Sequence, residues 1–174
     1  MTKKRRVFEQ GHARKMLVIV DESPEVEGAL FYAAGRVSHA GGQIVLLYVI
    51  EPENQFWDAV RQVQLDEQTN KARALFRLFR RKLANAGYDK VVVEEVIREG
   101  KLVDAILQQI EEDEDVAVLV LGASIEAAGP GPLVASLGTG VTAGKFPIPI
   151  TIVPGDLSLR RSRPWPELGR GLAF

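Results

Sequence analysis

Short, largely apolar runs, the third of them interrupted by Glu94-Glu95, alternate along this chain with longer segments in which apolar residues return every three or four positions. The runs are Met16–Val20, Gln43–Ile50, Val91–Ile97, Val116–Leu121 and Ile148–Val153, all rich in β-branched residues. Runs this short and this apolar read as strands covered on both faces. Between the first two, Val26, Ala29, Leu30, Ala33 and Val37 predict a helix opened by Ser23-Pro24 and closed by Gly41-Gly42. Ser23 is expected to cap its free amides, and Glu25 and Glu27 to lie where the helix dipole is positive. The stripe Ala72, Leu75, Phe76, Phe79, Leu83 and Ala86 predicts a long amphipathic helix ending at Gly87. Leu102, Ala105, Ile106 and Ile110 predict another, fraying into the acidic run Glu111–Asp115. With a further helical segment before the last strand, the order demands parallel pairing through right-handed crossovers. The expected fold class is therefore α/β, a three-layer, doubly wound sandwich. Pro149 cannot donate to a ladder, so the last strand should lie at a sheet edge or begin after the proline.

Composition narrows the chemistry. The 174 residues, 46% hydrophobic and 26% charged, suit one globular domain and exclude disorder or a fibrous repeat. The lack of cysteine excludes disulfides, thiolate metal sites, iron–sulfur clusters and a cysteine nucleophile. No apolar run approaches the roughly 20 residues that span a bilayer. The basic start is not followed by the apolar core of a signal peptide, so a cytoplasmic protein without membrane association is expected. Charge is partitioned: residues 1–15 carry six Lys/Arg and one acid, residues 16–155 twelve and twenty, and residues 156–174 four and two. The expected organisation is a basic N-terminal tail at 1–14, a folded body at 15–155 and a C-terminal tail at 156–174. The tails are expected to be solvated and to touch nucleic acid, if at all, without sequence preference.

In an open parallel sheet, ligands bind beyond the carboxyl ends of the strands where the winding reverses. That singles out Asp21 after the first strand. It also singles out Gly122 after the fourth, at the head of a stretch with glycines at 122, 129, 131, 138, 140 and 144. Such a stretch either brings amides to an anion, with Thr139 adding a hydroxyl, or is only a flexible connection. Gly144-Lys145 is not the end of a P-loop, because Thr139 stands five positions earlier and Phe146 replaces the Ser/Thr. Gly138-Thr139-Gly140 opens no first βαβ unit, which argues against a dinucleotide fingerprint. His12 and His39 stand in no catalytic spacing with a carboxylate or serine, so no catalytic residue and no metal ligand is assigned.

The segments MLVIVDESPEVEGALFYAA, QIVLLYVIEP, VLVLGAS, a glycine-rich stretch ending SLGTG, and IPITIVPG resemble, in their order and spacing, the universal stress protein family over residues 15–155. The resemblance implies a five-stranded parallel sheet ordered 3-2-1-4-5, like that of the adenine nucleotide alpha hydrolases, and commonly a homodimer. As an edge, the strand Ile148–Val153 is the expected dimer contact. The resemblance also implies ATP or another adenine nucleotide, held by Asp21, the backbone at Val49, and the amides of Gly122, Gly138 and Thr139. Some members carry Gly, two residues, Gly, nine residues, Gly and Ser/Thr; others lack this motif and bind no nucleotide. Here Ile125 stands where the middle glycine falls, and fifteen residues separate Gly122 from Gly138 instead of twelve. The expected function is a stress-response or signalling binding module governed by an adenine nucleotide. The alternatives are a nucleotide-free dimeric interaction module and a slow nucleotide hydrolase. The use of Mg²⁺ stays open, with Asp21 the obvious ligand.

Overall fold

The computed structural model describes residues 5–53, 58–126, 129, 131–137 and 142–155. Strand β2 (Gln43–Ile50) shows why its sequence is apolar at nearly every position. Ile44, Leu46, Tyr48 and Ile50 face one side of the sheet, where they meet helices α1 (Glu25–Ala40) and α2 (Asp58–Asn85). Val45, Leu47 and Val49 face the other side and helix α3 (Leu102–Glu112). Strands β1 (Lys15–Ile19) and β4 (Val116–Ala123) divide their residues in the same way, with Val18 and Val120 on the first face and Leu17 and Leu119 on the second. Strand β3 (Val92–Glu99) and strand β5 (Ile150–Pro154) complete a five-stranded sheet in the order β3-β2-β1-β4-β5, with every pair parallel. A short helix α4 (Pro132–Leu137) precedes β5 and packs on the α3 face through Leu133, Val134 and Leu137. This is the doubly wound α/β sandwich expected from the pattern of elements, in the strand order that the resemblance implied.

Both expectations about Pro149 hold at once: β5 is an edge, and its ladder begins at Ile150. The acidic interruption in β3 follows from the other edge position, where Glu94 and Glu95 point away from the core and pair with Lys15 and Arg80. Helix α2 starts well before its predicted stripe. Its first turns carry exposed Val60 and Val63, and only Leu65 among their apolar residues packs on the core, so the periodicity there is too weak to read.

Helix α3 does not fray at its acidic end but stays helical through Glu112. Cations from elsewhere in the chain hold it. Arg98 donates to Gln109 at 2.8 Å and pairs with Glu112, while Arg5 donates to the carbonyls of Ile110 and Asp113. Positive charge at the negative end of the helix dipole offsets the local repulsion. The same contacts correct the expectation of a solvated N-terminal tail. Val7 is buried, the Arg6 amide donates to the Glu114 carbonyl at 3.3 Å, and His12 meets the Asp115 carboxylate at 2.6 Å. Lys15 lies 2.8 Å from both Asp113 and Glu94. The basic segment from residue 5 onward is thus a strap laid on the acidic run 111–115, and the two charge blocks neutralise each other.

Candidate functional site

Strand register brings the exits of β1, β2 and β4 together at the carboxyl edge of the sheet. Val18 stands beside Leu46 on one side and Val120 on the other, so Asp21, Val49 and Gly122 emerge from neighbouring strands. Gly138 and Thr139, the other two residues assigned from the sequence, lie outside the described residues. Asp21 is exposed, and its carboxylate accepts a 2.7 Å hydrogen bond from the Ser23 amide, which closes the turn into α1.

Ser23 is not the cap that the sequence suggested. Pro24 is the residue before the first helical position, and no side chain caps from there. Glu25 satisfies the helix end instead. Its pKa is held below the ordinary value by its own backbone amide, against the opposing effect of burial, with help from the nearby hydroxyls of Ser124 and Ser23. Glu25 is 9% exposed. Ser124 follows β4, a hundred residues away in sequence, so nothing local announces the contact. Proximity of Ser23 and Glu25 to a helix start was the only available signal.

Gly122 also has a packing reason to be glycine. A Cβ there would fall 2.3 Å from the Glu25 carbonyl oxygen, so the exit of β4 lies directly against the first turn of α1. Gly155 closes the other side, where a Cβ would meet the Ala123 carbonyl oxygen at 2.8 Å and the Glu25 Cγ at 3.2 Å. The head of α1 is therefore clamped between the ends of β4 and β5.

The β2 side of the edge is open. A cavity of about 160 Å³ is walled by Val49, Glu51, Arg61, Gln64 and Gln68, with Glu99 behind them. Arg61 pairs with Glu99 at 2.6 Å, and Glu51 accepts the Leu102 amide at 2.9 Å, capping α3 from the end of β2. The Tyr48 hydroxyl donates to Gln68 at 2.9 Å. Burial pushes the Tyr48 pKa up, Lys71 opposes this, and Glu22 and Asp21 add to it, so the phenol links the cavity to the exit of β1. Lys71 itself is engaged by Glu22. The sequence reading missed Glu25, Ser124, Gln64 and Gln68, because each acquires its place through the fold. Among the described residues no group of three or more histidines or carboxylates could hold a metal ion, and no helix is long and apolar enough to cross a membrane.

Solved structures share this architecture. The chain is similar to the universal stress protein UspA from Lactobacillus plantarum, with a TM-score of 0.67, 17% identity, and coverage of 83% of this chain and 99% of that one. It is also similar to a universal stress protein in complex with cAMP (TM-score 0.53, 20% identity, 82% and 98% covered). A third is the universal stress protein from Archaeoglobus fulgidus in complex with dAMP (TM-score 0.51, 17% identity, 80% and 97% covered). Among curated protein sequences none matches the chain. The sequence itself matches the universal stress protein family over residues 12–154, which spans every strand of the sheet but the first docked turns of the strap, and the chain belongs to that family.

Proposed function

We propose that this universal stress protein is a cytoplasmic, homodimeric binding module whose state follows an adenine nucleotide held at the carboxyl edge of the sheet. The observation that carries the reading is the cavity beside Val49, one strand away from Asp21, at the edge where parallel sheets present ligands. The amide side chains of Gln64 and Gln68 supply both donors and acceptors for a purine edge. Two proteins of the same fold are described in complex with cAMP and dAMP, which agrees with an adenine ligand. On this reading Asp21 and the backbone at Val49 hold the adenosine end, and the amides of Gly122, Gly138 and Thr139 serve the phosphates. ATP is the form implied by the family resemblance, with Mg²⁺ as a companion of its phosphates. The unit that carries the site is residues 15–155, with 1–14 and 156–174 flanking it.

A nucleotide-free interaction module is the competing reading. It is favoured by the three extra residues between Gly122 and Gly138 and by Ile125 in place of a glycine. Hydrolysis, the third reading, would need a base positioned beside the phosphates.

The test is calorimetric titration of the full chain with ATP, AMP and adenosine, together with chromatography of any nucleotide released on denaturing the purified protein. Saturable binding that Asp21→Ala weakens tenfold or more, with an unchanged circular dichroism spectrum, supports the site. Absence of binding by all three ligands supports the interaction module.

A further inference from the structure

We propose that the outward face of α2 is an interaction surface for a second copy of this chain, whose own α2 docks on it antiparallel, acidic first half against basic second half. The inference needs neither the nucleotide nor the β5 edge, because α2 packs over β2 and β3, at the other end of the sheet.

The charges of α2 are divided along its length. Residues 71–82 carry six Lys/Arg and no acid, half of the twelve Lys/Arg in the acidic body 16–155. Three of the six are used inside the chain: Lys71 pairs with Glu22, Arg80 with Glu95 and Lys82 with Glu27. The other three, Arg73, Arg77 and Arg81, are exposed and have no partner among the described residues. They recur every fourth position, which sets them about 6 Å apart along one flank of the helix. The first half is the reverse. Its one cation, Arg61, is held by Glu99, and Asp58, Asp66 and Glu67 are exposed. Gln62 donates to Asp66 at 3.0 Å, a neutral partner that leaves the charge uncompensated.

The apolar residues of this face follow the same division. Val60, Val63, Glu67, Asn70, Ala74 and Arg77 are all exposed and follow one another in steps of three and four, the spacing at which one helix seats against another. The core is served by a different stripe, Ala72, Phe76, Phe79 and Leu83. Val60 is 50%, Val63 67% and Leu78 41% exposed, so large apolar groups stand at both ends of the outward stripe. With a two-fold axis between Gln68 and Thr69, antiparallel copies bring Val60 beside Arg77 and Leu78, and Val63 beside Ala74. Asp66 then meets the partner's Arg73, and Asp58 the partner's Arg81, each contact being made twice by symmetry. The arginine stems cover the valines while their charged ends stay in water. Parallel pairing would set arginine against arginine, which the repulsion of like charges disfavours. A polyanion such as RNA would use the arginines, but Asp66 and Glu67 would repel it and Val60 and Val63 would stay bare. Exposed ion pairs are screened by salt, so the pairing is weak and salt-sensitive.

The chain has no cysteine, so one introduced thiol reports on α2 alone, whether or not β5 pairs. Along the helix axis, the thiols of two Asn70→Cys chains would lie about 5 Å apart and those of two Asn85→Cys chains about 50 Å apart. Both full-length variants are oxidised mildly and followed on non-reducing gels. Disulfide-linked dimer is expected to form at least about tenfold faster in Asn70→Cys, and to slow several-fold between about 50 mM and about 500 mM salt. Adding Arg73→Glu, Arg77→Glu and Arg81→Glu to the Asn70→Cys chain should bring the rate down to that of Asn85→Cys. Further adding Asp58→Arg, Asp66→Arg and Glu67→Arg exchanges the two halves and should restore it. Circular dichroism checks folding, and Arg73→Glu with its rescue by Asp66→Arg serves if the triple variant does not fold. Equal rates at the two thiol positions, or a rate that the reversals leave unchanged, overturns the proposal. Loss on reversal without recovery on exchange also overturns it. Retardation of single-stranded polyuridylate by the natural chain but not by the reversed one would then assign the arginines to a polyanion.

Discussion

At the scale of single residues, the head of α1 is governed by a carboxylate and two glycines. Because the Glu25 pKa is lowered from 4.5 in the folded chain, its contribution to stability is present above that value and is lost as pH falls through the lower folded value. Urea unfolding of the natural chain should therefore show stability declining as pH drops below about 4.5, and Glu25→Gln should make that acid limb shallower. Gly122→Ala drives a methyl group into the Glu25 carbonyl and is expected to cost about 1–3 kcal/mol in the same measurement, with or without ligand. An unchanged stability would return Gly122 to a purely ligand-facing role. From the sequence, Glu25 is legible only as a favourable charge at a helix start. One of the groups that lower its pKa, Ser124, follows β4, and Gly122 likewise reads as a loop glycine until α1 is laid against it. Asp21 could be singled out because it follows an apolar run, and the end of a buried strand is where a parallel sheet meets solvent, whereas Val49, inside its run, was singled out only through the family resemblance.

At the scale of elements, the strands were readable where both faces are covered and less so at the margins. β2 is apolar at both parities because helices lie on both sides. The front of α2 was invisible because only Leu65 among its early apolar residues meets the core. The strap was misread for a different reason: its basic residues and the acids at 111–115 each look solvated alone, and only the topology brings them together. Deleting residues 1–12 removes buried Val7, the Arg5 cap on α3 and the His12–Asp115 pair. The melting temperature is expected to fall by several degrees, in contrast to the negligible change that a free tail would give. Calorimetry on the shortened chain checks this, and unchanged melting would mean that these contacts contribute nothing measurable. Lys15, which stays in the shortened chain, continues to meet Asp113. Burial disfavours its charge, but the hydrogen bonds it donates to Asp113 and Glu94 prevail and raise its pKa, so its contribution persists through neutral pH and is lost only on strong alkalisation.

At the scale of the whole molecule, two sheet edges remain. β3 is guarded by paired charges, whereas β5 presents Ile152, 46% exposed, beside a ladder that no described strand extends. A homodimer through Ile148–Val153 is expected to cover it. Light scattering on the full chain and on a chain ending at Gly155 checks this: a dimer in both supports edge pairing, a dimer only in the shortened chain points to the segment 156–174 as a cover, and a monomer in both sinks the idea. The central place of β1 has its own consequence for how the protein is made. This strand leaves the ribosome before the other four and finds β2 soon after, yet its other neighbour is β4, which begins at Val116. At the roughly 5–20 residues per second of synthesis, one flank of an apolar strand waits several seconds for its partner. Translation paused or terminated before that residue should therefore leave nascent chains that recruit chaperones or aggregate, whereas chains released after Gly155 should not. Pelleting of ribosome-bound intermediates stalled on either side of β4 would reveal the difference.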